Sequence, residues 1–151
     1  MPEKDTNIYK TARKKAGLTQ EKAAECLGIS VESIKAYESY ARIPPSHVVD
    51  LMCVVYDALY LAYQHTRIIS GEVKVVPEIQ VLDLQSATLK LINRVLDFSD
   101  HRHDRTLMKI AEDGVIDELE KPLFDEIMGL LEEIVQAAIE VRVSEENNRD
   151  G

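Results

Sequence analysis

Apolar residues recur at helical spacing through most of the chain, and glycines, prolines and capping residues interrupt them. The spacing predicts a first helix from about Asn7 to Ala16, with Ile8, Tyr9 and Ala12 inward and Gly17 as its stop. A second helix follows Thr19, puts Ala23, Ala24 and Leu27 on one face, and ends at Gly28. A third runs from about Val31 to Ser39, is capped by Ser30, and turns Ile34 and Tyr37 inward before Pro44-Pro45 closes it. A fourth begins after Ser46 and carries Val48, Leu51, Met52 and Val55; a fifth covers Leu59 to Arg67.

Val73, Val75 and Val76 beside Pro77 read as an extended linker over 71–77. Helical spacing then returns from Glu78 to Phe98 through Ile79, Leu82, Leu89, Ile92, Val95 and Leu96. Ser99 to Asp104 is expected to be a polar loop, Arg105 to Glu112 a helix, and Asp113-Gly114 a turn. The last helix is expected from Asp117 or Pro122 to Val143. Its stripe of Leu123, Ile127, Leu130, Ile134 and Ala138 lies close to a heptad period and, together with the Ile79–Leu96 helix, predicts a homodimer seam. Glu126, Glu132, Glu133 and Glu140 are expected to keep the rest of that helix in water, and the tail 144–151 is expected to be disordered. These elements define an all-α chain: an N-terminal domain over 1–70, the linker, a helical dimerisation or partner-binding region over 78–143, and the tail.

The segment LTQEKAAECLGISVESIKAYESYARIPP, from Leu18 to Pro45, carries the clearest signal. Two short helices joined by a Gly-containing turn are the helix-turn-helix arrangement, which lays its second helix in the DNA major groove. Leu18-Thr19-Gln20, Gly28-Ile29-Ser30, Ile34, Tyr37-Glu38, Arg42 and Pro44 resemble the Xre/Cro/phage-repressor family over roughly Ile8 to Ile68. The resemblance implies a five-helix, lambda-repressor-like domain and a DNA-binding transcriptional regulator of prophage or mobile-element type, not an enzyme. Carried over position by position, it makes Val31, Glu32 and Ala36 readers of base edges, with Ser30, Ser33 and Lys35 beside them. It brings Gln20 to a phosphate at the start of the second helix, and Ser39 and Arg42 to phosphates from the end of the third.

These readers have an unusual chemistry. Val31 and Ala36 pack against thymine methyls at best, and Glu32 accepts from cytosine N4 but is repelled by phosphate. The pattern also departs from the family at Tyr40-Ala41, where a glycine and a basic residue are usual. Tyr40 must enter the left-handed region or let the helix continue, and its hydroxyl is a candidate DNA contact.

Composition and charge refine the partner. Hydrophobic residues make up 45% and charged residues 30% of the chain, as expected of a globular cytoplasmic protein. No apolar run reaches transmembrane length, and MPEKDTNIYK has no signal-peptide core. Cys26 and Cys53 read as reduced, partly buried packing residues. The net charge of −9 is unevenly held. Residues 1–70 are at +1, with a basic cluster at Arg13-Lys14-Lys15, and residues 71–151 are at −10. A near-neutral domain binds duplex DNA when its cations share one face. The acidic C-terminal half keeps two competing readings open: an antitoxin-like or anti-repressor adaptor that binds a basic partner protein, and an interaction module that has lost DNA affinity.

Motifs with apparent chemistry have plainer explanations. Asp100-His101-Arg102-His103-Asp104 lacks the second ligand pair of a metal site. Asp113 to Glu120 lacks the calcium-loop pattern and reads as an Asp-Gly turn followed by a capping box from Asp117 to Glu120. No metal or other cofactor is expected.

Overall fold

The computed structural model describes residues 7–73 and 76–146. Among these residues it contains eight helices and no strand. They divide into two compact units, Met1–Val76 and Pro77–Gly151.

The first unit is built from α1 (Ile8–Lys15), α2 (Gln20–Leu27), α3 (Val31–Glu38), α4 (Ser46–Val55) and α5 (Leu59–Ile69). Each of the first three helices is capped by the residue its sequence offers. Asn7, Thr19 and Ser30 accept from the backbone N–H of Lys10, Lys22 and Ser33. Gly28 ends α2 in the left-handed region at φ 66°. Ala12, Ala23 and Ala24 are buried, which lets the helices approach closely around Tyr9, Leu27, Ile34, Tyr37, Met52 and Leu61. Leu51 is 48% exposed on the outer side of α4. Beneath α1, the Tyr9 hydroxyl pairs with His65 Nδ1 at 2.9 Å. Burial, helped by Tyr40, pushes the Tyr9 hydroxyl up to about 12, and burial also holds His65 below its usual range against the opposing charge of Asp50.

The second unit holds α6 (Leu84–Asp100), α7 (His103–Ile110) and α8 (Lys121–Glu146). α8 packs along α6, and α7 packs on both. Several boundaries differ from expectation. α6 starts at Leu84, because Asp83 caps it through Ser86 N at 2.9 Å and Ser86 Oγ at 2.7 Å, while residues 77–83 stay irregular. The expected polar loop 99–104 is mostly helical. Only His101 and Arg102 turn the chain, with Arg102 left-handed at φ 55°. α8 continues through Ser144, which is buried, so the expected disorder fails at that residue; 147–151 lie outside the described residues. The capping box forms as expected. Asp117 Oδ1 accepts from Leu119 N and Glu120 N at 2.8 Å, and Glu120 Oε2 accepts from Asp117 N at 3.3 Å.

Glu140 departs most from its expected place. It is fully buried rather than solvated. Its carboxylate pairs with Lys90 Nζ at 2.8 Å, accepts from Gln80 N at 2.9 Å and accepts from Gln136 Nε2 at 3.1 Å. The buried charge is tolerated because these partners surround it. Cys26 is exposed rather than partly buried, and Cys53 is half-buried; neither is in a disulfide.

Candidate nucleic-acid interface

The turn between α2 and α3 is fixed by backbone bonds. Gly28 N donates to Glu25 O at 3.3 Å and Ile29 N to Ala24 O at 3.1 Å, which uses the last carbonyls of α2. α3 then presents a defined solvent side. Ile34 and Tyr37 face the core, Glu32, Lys35 and Ser39 are exposed, and Val31, Ser33 and Ala36 are half-buried. The expected readers therefore share one side of α3. Glu32 and Lys35 pair at 3.4 Å with both side chains largely in water, so the pair is weak and opens readily to a ligand.

Arg42 sits beside this surface. Its guanidinium stacks over the Tyr37 ring at 4.9 Å and donates from Nη2 to Ser33 Oγ at 2.9 Å, while its backbone N donates to Ala36 O at 3.2 Å. Ser33 Oγ also lies 3.0 Å from Ser30 Oγ. Stacking and bonding hold an exposed cation in one place at the edge of α3. Ser39 Oγ donates to Ala36 O at 3.2 Å.

Below the surface lies a network that the sequence does not announce. Glu38 accepts from Arg13 Nη2 at 2.9 Å and from Gln20 Nε2 at 2.9 Å, and Arg13 Nη1 donates to Leu18 O at 2.6 Å. The Arg13 and Glu38 side chains are 8% and 5% exposed. Burial alone would raise the Glu38 carboxyl, but hydrogen bonds from Arg13 and Gln20 hold it below the usual carboxylate range. The bond to Glu38 keeps Arg13 charged. Two expectations change. Arg13 leaves the basic surface cluster, where Lys14 and Lys15 remain exposed. The Gln20 amide is bonded inward to Glu38 at the start of α2, leaving its second proton for an outside acceptor. No local signal links residues 25 positions apart, and Arg13 between Thr11, Ala12 and two lysines reads as a surface cation.

Tyr40 takes the left-handed alternative, at φ 57°. Its hydroxyl accepts from Ile8 N at 3.2 Å, and its ring meets Tyr9 edge-on at 6.1 Å. Asn7 Nδ2 donates to Tyr37 O at 2.8 Å beside it. Tyr40 and Asn7 thus tie the start of α1 to the end of α3.

Residues 10–63 match the family described as helix-turn-helix. This segment is an Xre/Cro/cI-like helix-turn-helix domain. The family is one of DNA-binding transcription regulators. No curated protein and no solved structure matches the chain.

Elsewhere, no cluster of three or more potential ligands for a metal ion occurs among the described residues. His101 is exposed and lies 2.9 Å from Asp97 O through Nδ1, and the His101 and His103 rings stack at 5.8 Å. No helix among the described residues is long and apolar enough to cross a membrane. The expected dimer stripe on α8 divides: Ile127 is fully buried, Leu130 and Ile134 are half-buried, and Leu123 and Ala138 are exposed. With α8 packed on α6 and α7, much of that stripe serves the unit's own core.

Proposed function

We propose that the protein is a sequence-specific, DNA-binding transcriptional regulator that occupies an operator as a homodimer in the cytoplasm, as in prophage or mobile-element control. The observation that carries the reading is the solvent side of α3 with Arg42 fixed at its edge by Tyr37 and Ser33. In the major groove, Val31 and Ala36 would meet thymine methyls, Glu32 would accept from a cytosine amine, and Ser33 and Lys35 would flank them. Gln20 and Ser39 would join Arg42 on phosphates, and the amide ends of α2 would add their dipole.

Selection from a genomic library by the purified chain, followed by titration of the enriched duplex, tests this. Arg42→Ala should weaken binding to all sequences alike. Glu32→Ala should relax discrimination at one or two base pairs, worth about 1–3 kcal/mol each. Failure to enrich any sequence would sink the proposal. A uniform gain in affinity for Glu32→Ala, with no change in preference, would show that Glu32 is only an unfavourable charge beside phosphate.

A protein-binding adaptor is the second reading. It is favoured by the absence of Arg, Asn and Gln from the reading positions of α3 and by the charge of −10 on residues 71–151. Retention of a basic protein, together with no enrichment of DNA, would select it.

A further inference from the structure

α6 packs on α8 by one side and leaves an apolar side open opposite it. One side carries Ala87, which is buried, and Lys90 and Arg94, which pair with Glu140 at 2.8 Å and Glu133 at 3.3 Å on α8. At 3.6 residues per turn, Leu89, Ile92 and Leu96 fall on the other side. They are 62%, 48% and 53% exposed. With Gln85 before them and Ser99 after them, they are spaced 4, 3, 4 and 3 apart, which is a heptad seam. An open hollow of about 600 Å³ runs beside it, lined by Ser86, Leu89, Lys90, Asn93, Arg94 and Asp97.

We propose that this outer seam of α6 binds the same seam of a second copy of the chain, parallel and in register. The inference rests on the dimeric reading above and names its interface.

Charge selects a second copy. From Leu84 to Leu96 the only charged residues are Lys90 and Arg94, and both are paired with acids on α8. The outer side over this stretch is therefore uncharged, although residues 71–151 hold −10. Two acidic copies meet over Leu89, Ile92 and Leu96 without facing carboxylates, and the acids of this helix, Asp97 and Asp100, lie only at its Ser99 end. An exposed apolar stripe on α8, Met128 to Val135, has Asp125 and Glu132 close beside it, so two copies would bring acids together there.

The order of residues selects the direction. In parallel register Leu89, Ile92 and Leu96 each meet their own copy, and the polar Gln85 and Ser99 do likewise. Antiparallel knobs-into-holes layers would instead set Leu89 against Ser99, or Gln85 against Leu96. Polar residues within a seam specify register in this way. Parallel pairing also starts both copies of α6 at the same end of the seam.

The test uses the full chain without DNA. Wild type should sediment as a dimer that dissociates on dilution into roughly the micromolar range, as a seam of only two heptads implies. Leu89→Glu with Leu96→Glu should be monomeric with unchanged helical circular dichroism. In a Cys26→Ser/Cys53→Ser background, Gln85→Cys and Ser99→Cys should each form a covalent dimer with itself on mild oxidation. A wild-type monomer at ~100 μM, or a dimer surviving the double glutamate, would overturn the seam. Cross-linking only when Leu89→Cys and Ser99→Cys chains are mixed, or only when Gln85→Cys and Leu96→Cys chains are mixed, would overturn the parallel direction. Cross-links from a chain that enriches no DNA would instead retain the interface and reject the regulator.

Discussion

Glu38 shows what a single residue contributes and what the sequence conceals. It follows Tyr37 in α3, where it anchors the buried bond to Arg13 and orients Gln20. Removing it by Glu38→Ala leaves a guanidinium buried without its carboxylate and should cost about 3–5 kcal/mol. Replacing both members, Arg13→Met with Glu38→Leu, should recover most of that loss, because no charge is then left unpaired. Thermal unfolding followed by tyrosine near-ultraviolet circular dichroism reads this unit selectively, since all six tyrosines lie between Tyr9 and Tyr63. A Glu38→Ala variant as stable as wild type would show that Leu18 O and water satisfy Arg13. Tyr40 is the opposite case. The missing glycine at that position foretold a strained backbone or a longer helix, and the structure takes the strained backbone at φ 57°. Its hydroxyl contact with Ile8 N, 32 residues away, was not legible, because a local pattern says nothing about which distant backbone group lies within reach.

At the level of elements, every helix of the first unit was legible, because the apolar period marks all five and side-chain caps open the first three. The second unit was less so. Apolar period alone places Glu78 to Asp83 in a helix, but Asp83 caps α6 and Gln80 N is held by Glu140 across the unit. The same period sets Glu140 in water, although it lies on the α8 side that packs on α6 and finds Lys90 there. Burial alone would raise the Glu140 carboxyl, but the bonds from Lys90, Gln80 N and Gln136 hold it below the usual carboxylate range. A carboxyl lowered by folding adds stability above its unfolded value of 4.5, and that stability is lost as pH falls through its folded value. Glu140→Gln should therefore lower the stability of the second unit at neutral pH and flatten its loss at acid pH. Chemical denaturation at neutral and acid pH, followed by far-ultraviolet circular dichroism, measures both. An equally steep acid loss in Glu140→Gln would place the relevant carboxylate elsewhere.

At the scale of the whole molecule, charge and shape divide the labour. The first unit is near neutral and places Arg42 beside α3, while the second is acidic and leaves α6 with an uncharged outer seam. On the proposed function, one near-neutral module would offer few phosphate contacts, so its affinity alone would be weak and strongly dependent on salt. Pairing two modules doubles the phosphates neutralised and makes the second binding event intramolecular. The sequence pattern pointed to pairing through both α8 and the Ile79–Leu96 helix, and the structure divides these two surfaces. The stripe on α8 satisfies the heptad period as well as α6 does, and only packing shows that Ile127 is consumed within the unit. The last prediction follows from separating the two roles. For a duplex with two half-sites, log K against log salt should be about twice as steep for wild type as for Leu89→Glu/Leu96→Glu, because that slope counts phosphates. For a duplex with one half-site the two proteins should bind alike, since neither substitution lies near α3. Equal slopes on the two-site duplex would mean that the modules bind independently and that the pairing of α6 contributes nothing to occupancy.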